Sequence, residues 1–350
     1  MSQFADTFGH EQLHLFQDPA TGLTGAVAIH STALGPAVGG LRLWHYPDIE
    51  AAATDAMRLA RAMTLKNSAA GLDLGGGKAV LLDDGEWDDR EARLLAFADV
   101  VERLGGRYIT AEDVGTTTDD MDLIATRTEW VVGRSRRSGG LDDPSPATAR
   151  TVFGAIDAGA RRALGVESLA GVRVGVLGAG KVGSALIALL AGAGAELTVA
   201  DVDPERAMAA LATAGGGGKV VGLDGFLARE LDVLSPCAVG ELIGVDQVPS
   251  LRCKVIAGAA NNPLVDEATA VALHERGVLY VPDFIANSGG IIQVSGEHEG
   301  LGEDAIAAQH AAAIARIGEL LDEAAARGEM PRAVAVERAL RRVSRALANA

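Results

Sequence analysis

Two lysines, Lys66 and Lys78, stand twelve positions apart among Met63, Leu65, Ala69, Leu72, Leu74, Ala79 and Val80, with Asp73 the only acid nearby. Isolated lysines are usually solvated, their stems lying on apolar surface and their heads in water. Apolar company on both sides predicts partial burial instead, where desolvation and a like neighbour both depress an ammonium pKa. A lysine brought toward neutrality serves as a general base. The spacing predicts that Lys66 follows a helix over 57–65 and that Lys78 follows a turn made by Gly75, Gly76 and Gly77, so that two cations flank one turn.

A second chemical signal is Gly178-Ala179-Gly180-Lys181-Val182-Gly183, directly after the apolar run 172–177 and before the helix-like stretch 184–190. In that context the first glycine makes a tight turn, the second lets backbone approach a pyrophosphate, and the third packs helix on strand. The helix N-terminus then faces the phosphates. Glycine motifs are frequent in a chain with 44 glycines, and one can serve packing alone, so the flanking strand and helix carry the reading. Asp201, twenty-three positions after Gly178, ends the next strand-like run, where an acid accepts from a ribose diol and repels the extra phosphate of NADP. Asp203 competes for that role with poorer spacing.

The elements that must position these groups differ between the two parts of the chain. Residues 11–31 alternate apolar and polar around the turn 18–22 and predict a β-hairpin; a strand follows near 41–44, a helix over 49–63, a strand over 79–82, a helix over 90–104 and a strand over 107–110. The turn-rich run 139–146 marks a hinge. Beyond it, strand-like runs at 172–177, 197–200, 231–234, 255–257 and 278–281 alternate with helices, the signature of βαβ units and a parallel sheet. The glycine run 215–218 is expected to be a surface turn. Residues 304–349 read as helix broken at Met330-Pro331, and the last amphipathic helix is expected to brace the first domain.

Composition narrows the partners. A formal charge of −16 repels phosphate backbones and anionic lipid over most of the surface, so nucleic acid and membrane partners are not expected. No apolar run reaches the roughly 18 residues of a membrane span. Cys237 and Cys253 fit no zinc or disulfide spacing, and residues 1–12 lack the pattern of a secretion signal, which together predict a cytoplasmic protein. Seven histidines show no paired metal spacing, and the His10–His14 pair lies in a strand-like context, so no metal is expected.

The segments HEQLHLFQD, AIHSTALGPAVGGLR, RAMTLKNSAAGLDLGGGKAV, GGRYITAEDVGT, PCAVG, VIAGAANN and YVPDFIANSGGIIQV resemble the leucine/valine/phenylalanine branch of the glutamate dehydrogenase superfamily over about residues 10–330, its valine dehydrogenases especially. The resemblance implies two α/β domains with a cleft between them. One is an N-terminal substrate and oligomerisation domain over 1–140, joined by the C-terminal helix 331–350. The other is a Rossmann-type doubly wound dinucleotide-binding domain over 141–330. It also implies NAD-dependent, reversible oxidative deamination of an L-amino acid to the 2-keto acid and ammonia, in a homo-oligomer.

Carried over by motif, Lys66 binds the substrate carboxylate with Gly39 and Gly40 closing around it, Lys78 activates water, and Asp113 exchanges protons with the substrate nitrogen beside Glu112. A fixed ammonium suits a carboxylate anchor, and a second, less basic lysine suits proton abstraction. Asn261 or Asn262, and Asn287, fall to the substrate and nicotinamide cleft; outside these motifs they would read as turn residues. Thr148, also placed to cap a helix, falls near the nicotinamide, and Cys237, Ala238 and Ala259 fall beside the cofactor, the cysteine there for its small size. Val38, Ala111, Ile291 and Val294 line the side-chain pocket; all are apolar, which favours a branched aliphatic substrate, with an aromatic one second.

Two departures stand out. Leu41 replaces the usual threonine of GGTR, which is expected to remove a hydroxyl beside the carboxylate end of the pocket, and Ser288 replaces a common alanine with mild effect. A non-catalytic sensor of NAD and a small molecule is the alternative, disfavoured by the complete lysine, lysine and aspartate set. A hydroxy-acid dehydrogenase would offer a histidine paired with an acid, and none is apparent.

Overall fold

The structure, a computed structural model, describes residues 9–85, 87–238 and 240–349; residues 1–8, read above for a secretion signal, and Val239 of PCAVG lie outside them. The chain divides into two units, one comprising Met1–Pro144, Gln293–Gly302 and Arg338–Ala350, the other Ser145–Ile292 and Glu303–Glu337.

In the first unit, β1 (Gln12–Asp18) and β2 (Leu23–Ser31) form the hairpin, with Asp18 opposite Leu23 and the turn held by Thr21, which donates to the Asp18 carboxylate. Then come β3 (Ala37–Trp44), α1 (Ile49–Ala70), β4 (Gly75–Leu82), α2 (Arg90–Arg103), β5 (Tyr108–Glu112) and α3 (Thr118–Ile124). The sheet order is β1-β2-β4-β3-β5, with β3 parallel to β4 and β5, and β2 antiparallel to both its neighbours. On one face the alanine-rich α1 packs Ala52, Ala56, Met57 and Ala60 onto Ala26, Ala28 and Val80. On the other, Leu94, Phe97 and Val101 of α2 pack with Leu23, Val27, Leu41 and Leu81.

Three sequence expectations need correction here. The helix runs on past residue 65 to Ala70, so Lys66 lies within α1, not after it. Asp48 caps its start by accepting from the Ala51 N–H, and Gly71 ends it at φ 81°, a left-handed conformation that glycine adopts without steric cost. The three glycines are not a turn but the first residues of β4, and Lys78 is its fourth. A Cβ on Gly76 would fall 2.1 Å from the Thr64 backbone nitrogen, so the missing side chain is what lets α1 lie directly on the strand.

The second unit opens with α4 (Ser145–Leu164), β6 (Arg173–Leu177), α5 (Lys181–Gly192), β7 (Glu196–Ala200), α6 (Pro204–Thr213), β8 (Lys219–Val220), β9 (Val233–Pro236), β10 (Val255–Ile256), α7 (Glu267–Glu275), β11 (Leu279–Tyr280) and α8 (Asp283–Ala286); α9 (Gly289–Glu299) leaves it at Gln293, α10 (Glu303–Arg327) returns to it, and α11 (Pro331–Asn349) is last in the chain. Its sheet is wholly parallel in the order β8-β7-β6-β9-β10-β11. Strand order reverses between β6 and β9, and the carboxyl ends of such strands form the ligand crevice of doubly wound sheets. The two-residue β8, just beyond the glycine run, was not foreseen; so short a strand has no periodicity to read.

The unit boundaries also depart from the sequence-based ones. Gln293–Gly302 groups with the first unit because the buried carboxylate of Glu297 accepts from the N–H groups of Gly133, Arg134 and Leu141 and from the Arg134 side chain. Within α11, residues before Arg338 group with the second unit, where Arg332 pairs with Glu267 at 2.7 Å. Residues from Arg338 on group with the first, where Ser68 donates to the Ala339 carbonyl and Arg342 donates to Leu72 and Asp73.

Candidate active site

Strand geometry decides which groups meet. Alternate residues of β4 point to opposite faces, so Lys78 shares the α1 face with Gly76 and Val80, while Ala79 and Leu81 enter the α2 core. The Lys78 side chain is buried, and its Nζ donates to Asp113 Oδ2 at 2.5 Å. Asp113 directly follows β5, and Gly40 on the neighbouring β3 gives it room, since a Cβ there would lie 2.7 Å from the Asp113 Cβ. Gly39 is equally enclosed: a Cβ would meet the Gly77 carbonyl, and the Gly39 carbonyl accepts from the Tyr108 hydroxyl at 2.6 Å.

The electrostatics follow from that contact. Burial pushes the Lys78 ammonium below its ordinary value, and the nearby Arg42 charge adds to the fall, while Asp113 opposes it. Burial would raise the Asp113 carboxyl, but the charges of Lys78 and Arg42 outweigh it and hold Asp113 at about 2. The arrangement is a desolvated lysine of reduced basicity beside a carboxylate that stays ionised.

Lys66 is half-buried on α1. The next residue, Asn67, donates from Nδ2 to the Gly75 carbonyl at 2.5 Å and so fixes this part of the helix over the start of β4. Val38 and Ala111 are buried on β3 and β5, and Glu112 is bound by the Thr118 hydroxyl at 2.8 Å. Leu41 overturns the expectation attached to it: its side chain lies in the α2 core, on the face of the sheet opposite Gly40 and Arg42, so the change from threonine does not remove a hydroxyl from this site.

In the second unit, the loop between β6 and α5 has the shape that a pyrophosphate requires. Gly178 stands at φ 107°, and a Cβ on it would lie 2.6 Å from the Ala238 nitrogen. A Cβ on Gly183 would meet the Gly178 carbonyl at 2.0 Å, so this glycine closes helix against loop. Gly180 alone of the three opens on space, with nothing within 4 Å of its would-be Cβ, and no side chain caps α5 behind it. Lys181 is exposed and Val182 half-buried at the start of that helix. Exposed loop backbone at an uncapped helix N-terminus fits a dinucleotide phosphate.

Asp201 accepts from the Ala179 N–H at 2.6 Å and from the Asp203 N–H at 2.9 Å, so the acid after β7 braces the glycine loop. Asp203 instead caps α6, accepting from the Glu205 N–H. Across the switch point, Cys237 donates its N–H to the Leu177 carbonyl at 2.7 Å, and burial pushes its thiol pKa up, as suits a packing role. Asn287 is buried and donates to the Asn261 side chain at 2.8 Å and the Ala259 carbonyl at 3.1 Å. Its own Oδ1 is buried with no hydrogen-bond partner among the described residues, an acceptor left open. Asn262 takes φ 49°, and its N–H donates to Asp283. Ile291 and Val294 are buried on α9, Ser288 is fully buried, and Thr148 lies half-buried in the first turn of α4.

Comparison with known proteins agrees with this geometry. The family model of the Glu/Leu/Phe/Val dehydrogenase dimerisation domain matches residues 10–130, and that of glutamate/leucine/phenylalanine/valine dehydrogenase matches residues 205–300. A leucine dehydrogenase of Bacillus subtilis is 43% identical over 84% of this chain and 80% of its own. The chain belongs to the Glu/Leu/Phe/Val dehydrogenase family. A valine dehydrogenase of Streptomyces virginiae is 44% identical over 86% of this chain and 84% of its own. Among solved structures, L-tryptophan dehydrogenase from Nostoc punctiforme superposes with TM-score 0.86 at 32% identity, covering 99% of each chain. This protein is therefore an amino-acid dehydrogenase, an oxidoreductase that depends on a pyridine nucleotide.

The dehydrogenase holds its acidic centre with residues that the sequence did not single out. Arg42 Nε donates to Asp113 Oδ2 and its Nη1 to Asp55 Oδ2, each at 3.1 Å; Tyr46 and Arg58 donate to Asp55 as well. The available signal was Asp55 itself, an acid flanked by Ala51, Ala52, Ala53 and Ala56 on the sheet-facing side of a helix. Among the described residues no group of three potential metal ligands occurs, and no helix is long and apolar enough to cross a membrane.

Proposed function

We propose that this dehydrogenase oxidatively deaminates a branched aliphatic L-amino acid, of the valine or leucine type, to the 2-keto acid and ammonia with NAD. The buried contact between Lys78 and Asp113 carries the reading, because it couples a lysine of lowered basicity to an ionised acid. Lys66 holds the substrate carboxylate, Lys78 takes the proton from the attacking water, and Asp113 exchanges protons with the nitrogen. Bound on the loop around Gly180, the dinucleotide supplies the hydride acceptor. Asn261, Asn262 and Asn287 orient amide and amine groups near the nicotinamide, with Thr148, Ala238 and Ala259 beside it.

The negative Asp201 behind the glycine loop supports NAD over NADP, since a second phosphate would face an acid. The apolar Val38, Ala111, Ile291 and Val294 support an aliphatic side chain, and one methylene changes selectivity by only ~1–3 kcal/mol, so valine, leucine and isoleucine should overlap as substrates. An aromatic amino acid is the second reading, favoured by the likeness to tryptophan dehydrogenase over the whole chain. A homo-oligomer is supported by the match to a dimerisation domain and by β1, an edge strand with the exposed Leu15.

The test is steady-state reduction of NAD and NADP, in parallel, with valine, leucine, phenylalanine and tryptophan. Turnover with valine or leucine and NAD is the expected result. Turnover with tryptophan alone would move the assignment to the aromatic reading, and binding without reduction of either nucleotide would make the protein a sensor.

A further inference from the structure

We infer that Arg42, held by Asp55, is a positioning residue for the deamination: it fixes one oxygen of the Asp113 carboxylate so that the other is presented to the substrate nitrogen. This inference rests on the function proposed above. Both cations, Lys78 Nζ and Arg42 Nε, lie on the same atom, Oδ2, and no donor among the described residues engages Oδ1. A carboxylate gripped on one oxygen from two directions cannot rotate freely, and the Asp113 side chain remains 22% exposed. The guanidinium suits the task because its planar fork spans two carboxylates at once, which a lysine does not. Arg42 itself is anchored: Nη1 donates to Asp55, whose two oxygens also receive the Tyr46 hydroxyl at 2.6 Å and Arg58 Nη2 at 2.7 Å.

Asp55 also lies on the helix that carries Lys66, the proposed substrate clamp. Asp55 and Lys66 are eleven residues apart on α1, close to three whole turns, so they lie on one line of the helix about 16 Å apart. The charged groups on or beside this face are Lys78 from β4, Arg42 from β3, Asp113 after β5, and Asp55, Arg58, Arg61 and Lys66 from α1; the other titratable groups are the Tyr46 and Tyr108 hydroxyls and the imidazoles of His30, against Thr64, and His10, against the Met57 carbonyl. Arg42 is the cation that adds to the depression of Lys78 and helps to keep Asp113 ionised, so its removal should let both groups rise.

The experiment compares full-length wild type with Arg42→Met, Arg42→Lys and Asp55→Asn, recording kcat and kcat/KM for amino-acid oxidation against pH, with thermal melts and NADH binding as controls. Arg42→Met should move the limb that rises with pH upward by ~1 unit, because a like charge near Lys78 is gone. It should also lower kcat by roughly 10- to 100-fold, since Asp113 is no longer fixed. Arg42→Lys should restore most of the pH profile but little of kcat, and Asp55→Asn should reproduce the kcat loss more weakly. Should Arg42→Met not fold, Arg42→Lys and Asp55→Asn decide the matter through the same split. If wild type is active but Arg42→Met loses kcat with no change in pH profile, or Arg42→Lys and Asp55→Asn both keep wild-type kcat, the positioning role is wrong. If wild type oxidises no amino acid, the functional reading fails first and takes this inference with it.

Discussion

Lys78 and Asp113 come from different strands and meet at 2.5 Å on the α1 face of the sheet, the lysine buried and the acid held at about 2. If this pair is the catalytic centre, Lys78→Gln and Asp113→Asn should each lower kcat by ~10²- to 10⁴-fold while leaving NADH binding, measured by fluorescence titration, close to wild type. Loss of NADH binding in step with kcat would mean general disruption instead.

The pH dependence has a definite sign. Lys78 works as a base only without its proton, so kcat/KM for oxidation should rise with pH along a limb placed below the ordinary lysine value of 10.5, and that limb should vanish in Lys78→Gln. Asp113 is held at about 2 against an ordinary 3.8, so its contribution to stability is complete above pH 4 and is lost as pH falls through 2. Acid melts of Asp113→Asn should lack that part of the decline.

Gly180 and Gly183 of the dinucleotide loop should separate by experiment. Gly180→Ala meets no atom and should change stability by less than about 1 kcal/mol, while raising KM for the dinucleotide. Gly183→Ala drives a Cβ to within 2.0 Å of the Gly178 carbonyl and should lower the melting temperature before any binding is measured. Equal melting temperatures for the two variants would contradict the geometry.

Asn287 has both its N–H groups engaged and its oxygen unmatched. If that oxygen serves the nicotinamide, Asn287→Ala should weaken nucleotide binding by roughly 5- to 150-fold, the range expected for leaving one buried polar group unmatched at about 1–3 kcal/mol. Calorimetric titration with NADH measures it, and unchanged affinity would remove Asn287 from the cofactor site.

Leu41 tests which face of the sheet sets selectivity. Leu41→Thr places a hydroxyl and a smaller side chain in the core beside Ala79 and Leu81, and should cost ~1–3 kcal/mol in urea unfolding. The ratio of kcat/KM for valine and leucine should stay as in wild type. A reversal of that ratio would return Leu41 to the pocket.

The sequence by itself determined the chemistry of the parts and the order in which they occur. Hairpin, helices and the βαβ alternation were legible because apolar periods of 2 and 3.6 are local properties. The strand, GxGxxG and helix context likewise carried its own meaning, and Lys66 and Lys78 were marked by apolar neighbours. What the tertiary structure decided was which face of each element those residues share. That Gly75, Gly76 and Gly77 are strand and not turn depends on how closely α1 lies against them, which no local window contains. That Leu41 leaves the site while Arg42 enters it depends on the face presented by β3, since adjacent strand residues point in opposite directions. The link from Lys78 through Asp113 and Arg42 to Asp55 joins three consecutive elements, β4, β3 and α1, to the turn after β5, and only their packing brings those charges within reach of one another.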